Sequence, residues 1–127
     1  MDGPDLESPH KGKTGLRRIW NALFYSCDGL SAAFRHEDAF RQESILAIVL
    51  IPAALLTPAS GTGKALMIAS VVLVLVVELL NSALEAAVDR VSLEHHHLAK
   101  RAKDIASAAV LLSLLMVPVV WTLVLFG

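Results

Sequence analysis

A single cysteine, Cys27, excludes an internal disulfide and any cysteine-based zinc site. No Lys or Arg follows Lys103, and no charge of either sign follows Asp104. Residues 1–14 contain no apolar stretch and no small-residue cleavage site, so they do not read as a secretory signal. Rich in Pro, Gly and charge, they are expected to form a disordered tail. No internal repeat is evident. Gly61-Thr62-Gly63-Lys64 hints at a phosphate loop, but such a loop needs Gly where this chain has Pro58 and a hydroxyl residue where it has Ala65. It reads as a turn. The motif set of a protein kinase is absent as well.

What is present is apolar. With 127 residues the chain is a single small domain, yet 55% of it is hydrophobic and its mean hydropathy is +0.61. That exceeds what a soluble core of this size needs. The pattern predicts an all-α integral membrane protein, with three transmembrane helices behind an N-terminal amphipathic interfacial helix. In the interfacial helix, residues 15–35, Leu16, Ile19, Trp20, Leu23, Phe24, Cys27, Leu30 and Phe34 recur at spacings of three and four. Arg17, Arg18, Asn21, Asp28 and Arg35 face elsewhere, an arrangement suited to the membrane interface.

The first span is expected over about 38–57, because the apolar run Ile45 to Leu56 is too short alone and Asp38 can cap a longer helix. Arg41 would then snorkel to one interface, and Pro52 predicts a kink. A re-entrant segment is the alternative there. The second span is expected over about 64–91 and the third over about 105–126. Lys11, Lys13, Arg17, Arg18, Arg35 and Arg41 precede the first span, and Arg90, Lys100, Arg101 and Lys103 lie between the second and third. Only Lys64 occupies the other loop, which places the N-terminus and the 90–104 loop in the cytoplasm.

The second span carries the chemistry. At about 100° per residue, Glu78, Glu85 and Asp89 fall within roughly 40° of one another, with Asn81 and Ser82 flanking them. Ionisable groups are expensive at membrane depth, so such a row is a functional-site hypothesis by default. Two further polar clusters stand on the same side: His36-Glu37-Asp38 with Arg41, Gln42 and Glu43, and Glu94-His95-His96-His97 with Lys100, Arg101, Lys103 and Asp104. They offer hard oxygen ligands for a divalent cation and cationic groups for phosphates, the inventory of phosphoryl transfer. A base set in an apolar bundle is expected to have a raised pKa, nearer the working pH. Blander roles compete: the lysines can bind anionic headgroups, Asp104 can cap the third helix, and Tyr25 can be an interfacial anchor. The adjacent histidines make a poor transition-metal site, since neighbours on a short loop rarely converge on one ion.

Glu78-x-x-Asn81-Ser82-x-x-Glu85-x-x-x-Asp89 resembles the signature of the prokaryotic diacylglycerol kinases, small integral membrane enzymes. Arg18, Tyr25, Ala39-Phe40-Arg41-Gln42-Glu43, Glu94-x-His96-x-Leu98, Arg101-Ala102-Lys103-Asp104 and Ser107-Ala108-Ala109-Val110 stand at family-like spacings, so the resemblance runs from Leu16 to the C-terminus. It implies a homotrimer with composite sites in the bacterial inner membrane, transferring the γ-phosphate of MgATP to the primary hydroxyl of diacylglycerol to give phosphatidic acid. Glu78 is implied as the general base, with Asn81 in the catalytic set. Glu37 and Glu85 would hold Mg²⁺ and, through it, ATP. Arg18, Tyr25, Glu94, His95, His96, Lys103 and Asp104 would complete the ATP site. Arg41, Glu78, Ser107 and the apolar floor around Trp121 would contact the lipid, and Asp89 would support the acidic row. Cys27-Asp28 departs from the bulky aromatic and basic pair of familiar members, and the histidine run is richer than usual.

Three rivals remain open to the sequence. Undecaprenol kinase is the same chemistry on another alcohol, though the Phe40-Arg41-Gln42-Glu43 stretch and the surface helix look more like the diacylglycerol branch. A proton or cation pathway would also use intramembrane carboxylates, but Ala65 to Val77 offers almost no polar continuation to the far side. An assembly module held by Asn81 and Ser82 would have no use for the carboxyl of Glu78.

Overall fold

The computed structural model describes residues 14–91 and 96–127, and among these the chain forms helices and no strand. Four helices follow in order: α1, Gly15–His36; α2, Asp38–Leu56; α3, Gly61–Val91; and α4, His97–Phe126. The last three are long and apolar enough to cross a membrane, as the composition required. The tail ahead of Thr14, and with it the expectation of disorder, lies outside the described residues.

The chain falls into two units, one ending at Ala32 and one running from Ala33 to Gly127. In the first, α1 presents Leu16, Ile19, Trp20, Leu23 and Phe24 as an exposed apolar stripe. Trp20 and Phe24 meet edge to face at 5.3 Å, as expected for aromatics one turn apart. Arg35 stands in the last turn of α1, where its positive charge complements the helix dipole.

In the second unit α3 packs against both α2 and α4. One third of its apolar window (33%) is buried, against 17% in α2 and 6% in α4. The buried face of α3 is a stripe of Gly63, Met67, Ser70, Val71 and Val74 at helical spacing. Its counterpart on α2 is Phe40, Ala47 and Ala54, each two turns from the next. At the start of α3, Gly63 allows the close approach of α4: a Cβ there would stand 2.8 Å from Val124 Cγ1. Lower down, Trp121 of α4 donates its indole N–H to the Met67 carbonyl and the Ser70 hydroxyl, both at 3.2 Å. Ser70 in turn donates to Met67 O at 2.6 Å. In an apolar solvent such polar bridges help fix which helix faces meet.

Several boundaries differ from the sequence reading, each for a local reason. Asp38 opens α2 but does not cap it; Glu37 occupies the N-cap position, and Asp38 instead pairs with Arg41 at 2.7 Å. Pro52 and Pro118 both lie inside continuous helices. Each lacks the N–H that would bond the carbonyl four residues back, a loss a membrane helix tolerates. α4 starts at His97 rather than Ile105, so Asp104 is not its cap. That position belongs to His96, whose Nδ1 accepts the Leu98 N–H at 3.1 Å.

Candidate active site

The packing stripe of α3 does not end at Val74. One further turn along the same face stands Glu78, only 4% exposed and the one buried charged side chain among the described residues. A helix face that packs with Met and Val thus becomes acidic without changing direction. Asn81 Nδ2 donates to Glu78 Oε2 at 3.4 Å, a long bond that orients the carboxylate without enclosing it. Around it lie buried polar atoms with no partner: Asn81 Oδ1, Ser82 Oγ and Glu43 Oε1. Each such atom costs about 1–3 kcal/mol when left unmatched. Their concentration beside one buried carboxylate marks a place built to receive a polar group.

Glu43 reaches this place from α2, close enough to feel the Glu78 carboxylate. It also stands in the wall of a cleft of about 200 Å³ between Leu46 and Leu50 of α2, Val71 and Val74 of α3, and Leu114, Val117 and Pro118 of α4. The cleft is apolar apart from that carboxyl. It suits a greasy substrate whose polar end must lie near Glu78.

Towards the end of α3 the row emerges into water: Glu85 is half-buried and Asp89 exposed. Lys103 of α4 meets Asp89, Nζ to Oδ1, at 2.6 Å, and the Glu85 charge acts on Lys103 as well. Lys100 pairs along its own helix with Asp104 at 2.7 Å. A second hollow, about 510 Å³, lies between Ala87, Val88 and Val91 of α3 and His96, Leu98, Ala99 and Ala102 at the start of α4. His96 stacks on His97 at 4.6 Å. An apolar hollow of this size can take a flat aromatic base.

The residues implicated by the sequence are thus sorted. Glu78, Asn81, Glu85 and Asp89 follow one another along α3, Lys103 of α4 joins that row at Asp89, Asp104 pairs with Lys100, and His96 lines the second hollow. Glu37, at the head of α2, makes no capping bond with its side chain, which leaves its carboxylate available. Arg41 places its guanidinium 6.0 Å from the Phe34 ring while holding Asp38. Ser107 is exposed on α4. Because the Trp121 N–H is bound to α3, any lipid contact that residue makes is through its apolar ring. Arg18 and Tyr25 are exposed residues of α1 in the first unit, and Glu94 and His95 lie outside the described residues.

Among the described residues no three His, Cys, Asp or Glu side chains come together as a metal cage. Mg²⁺ does not ask for one: it characteristically takes one or two carboxylates and completes its shell with water and phosphate oxygens. The oxygen donors Glu37 and Glu85 fit that habit.

Glu43 and Ser82 stand in the polar clusters named from the sequence, but no role was assigned to them there. The signal for Glu43 was present: it lies three residues after Phe40 and four before Ala47, on the buried seam of α2.

The family model of the prokaryotic diacylglycerol kinases matches residues 24–125. A diacylglycerol kinase of Pseudomonas aeruginosa is 57% identical over 120 residues, covering 94% of this chain and 98% of the relative. Those of Haemophilus influenzae and Escherichia coli K12 are 47% and 43% identical, covering 89% and 90% of this chain and 96% and 93% of the relatives. With its acidic helix and its likeness over nearly its whole length, the chain belongs to the prokaryotic diacylglycerol kinase family.

Proposed function

We propose that this protein transfers the γ-phosphate of MgATP to the primary hydroxyl of diacylglycerol, giving phosphatidic acid, with Glu78 as the general base. The observation that carries the reading is the burial of Glu78 among unpartnered polar atoms, within reach of an apolar cleft, in a member of this family. The glycerol hydroxyl lies against Glu78, where Asn81, Ser82 and Glu43 can complete its hydrogen bonds, while acyl chain occupies the cleft. Glu78 takes the hydroxyl proton, the lipid oxygen forms its bond to the γ-phosphorus, and the bond to the bridging oxygen breaks with its electron pair leaving on ADP. Direct transfer needs no phospho-enzyme, because both substrates can be bound together.

The adenine base is assigned to the hollow beside His96, and the phosphates to Glu85, Lys103 and Asp104. Glu37 and Glu85 are the residues proposed to hold Mg²⁺, which would neutralise charge building on the phosphate oxygens. Glu78 and Glu85 are about 10 Å apart by helical rise, so the nucleotide sits shallower than the lipid hydroxyl. Arg18, Tyr25, Glu94 and His95 join the nucleotide site by resemblance alone, as do Arg41 and Ser107 the lipid. The Lys and Arg distribution supports an N-terminus in the cytoplasm of the inner membrane, where ATP is available. The apolar faces of α2 and α4, little buried within one chain, leave room for neighbouring copies in a homotrimer.

The test is transfer of label from γ-labelled MgATP to dioleoylglycerol in mixed micelles, with undecaprenol in a parallel reaction. Labelled phosphatidic acid is the expected product. Label on the polyprenol alone would overturn the substrate assignment.

A further inference from the structure

The pairs Arg41–Asp38 and Lys100–Asp104 each lie within one helix, but Lys103–Asp89 joins two, from the end of α3 to the beginning of α4. The side chains are 39% and 64% exposed, so this is a wet ion pair. Wet pairs contribute little to stability, which makes a clamp between helices a poor explanation for its 2.6 Å geometry. What the pair does accomplish is localisation. A lysine ammonium sits on a flexible four-carbon stem and is free to wander unless something holds it. Asp89 is one turn beyond Glu85 on the same face of α3, and the Glu85 charge also acts on Lys103. The ammonium is therefore held against Asp89, within range of the Glu85 charge.

A polyphosphate approaching Glu85 meets like charge unless a cation is already there. We infer that Asp89 is a positioning residue for the nucleotide: its carboxylate holds the Lys103 ammonium beside Glu85, preset for the phosphates, and it acts on the reaction through Lys103. This departs from the resemblance, which has Asp89 supporting the acidic row of its own helix. It rests on the kinase reading above, and it concerns the binding of MgATP rather than the chemical step. Preset donors lose less freedom when the ligand arrives, which appears in affinity first.

The experiment compares the full chain in dioleoylglycerol micelles as wild type, Asp89→Asn, Asp89→Glu, Lys103→Ala, Lys103→Ala with Asp89→Asn, and the exchanged pair Asp89→Lys with Lys103→Asp. Asp89→Asn is expected to raise KM for MgATP about fivefold, with kcat at saturating nucleotide within about twofold of wild type. Asp89→Glu restores most of the KM. Adding Asp89→Asn to Lys103→Ala changes nothing further, because the carboxylate has nothing left to hold. The exchanged pair stays impaired although opposite charges again face each other.

A wild-type KM in Asp89→Asn overturns the inference, as does an additive double variant. Recovery of activity in the exchanged pair, or unfolding of Asp89→Asn in the micelle, would make the contact a structural clamp and overturn it equally. Absence of transfer by the wild-type protein defeats the kinase reading itself, a result that no variant can mimic.

Discussion

Replacing Trp121 with Phe removes one hydrogen-bond donor from the interface between α3 and α4 while keeping an apolar ring in place. In the native interface the indole N–H is shared between the Met67 carbonyl and the Ser70 hydroxyl, at 3.2 Å to each. Neither acceptor is stranded by its loss, because Ser70 still donates to Met67 O at 2.6 Å. The loss should therefore resemble an ordinary interhelical hydrogen bond in a membrane, about 0.6–1.7 kcal/mol. The smaller ring also forgoes a handful of packing contacts worth about 0.1–0.2 kcal/mol apiece. Together these predict destabilisation of about 1–2 kcal/mol. The assay is the SDS mole fraction at half-unfolding in mixed micelles, at fixed protein concentration, beside the KM for dioleoylglycerol. The midpoint should fall while the lipid KM stays within about twofold of wild type, since the apolar ring surface remains. An unchanged midpoint with a raised lipid KM would refute this reasoning and make the indole N–H a substrate contact.

Other perturbations follow from single contacts. Gly63→Ala would bring a Cβ to 2.8 Å from Val124 Cγ1 and 3.3 Å from Ala59 Cβ. The overpacking penalty of about 1–3 kcal/mol outweighs a helix-propensity gain of about 0.5–1 kcal/mol, so the SDS midpoint should fall; a rise would contradict the close approach. His96→Ala should remove a cap worth about 1 kcal/mol and speed hydrogen exchange at the Leu98 amide, whereas His96→Asn should retain protection. Equal exchange in both variants would deny the cap.

The sequence disclosed α3 well because its chemistry and its packing share one face. Polar and apolar residues alternate there with helical period, and charges in an apolar helix stand out against their surroundings. Glu43 was harder to see. Between Ile45 and Leu56 every face of α2 is apolar, and lipid is as apolar as a protein interior, so composition does not say which side turns inward. The contacts of Phe40, Ala47 and Ala54 decide it, and Glu43 falls on their seam. The start of α4 was hidden for another reason: a run of histidines and lysines reads as a loop, yet His96 supplies a cap and Ala99 and Ala102 are half-buried in the first turns. Asp38 and Glu37 exchanged roles by one residue, since either can precede a helix and only backbone geometry distinguishes them. The Asp89–Lys103 pair depends on how two helices meet, information that no local pattern holds.

The decisive measurement is transfer of label from γ-labelled MgATP to dioleoylglycerol by the wild-type protein and by Glu78→Gln, which preserves shape and removes the base. A general base contributes about 10²–10⁴ in rate, so label in phosphatidic acid should fall by at least about a hundredfold in the variant while it remains folded. Equal labelling by both proteins would remove Glu78 from the chemistry and contradict the site described above.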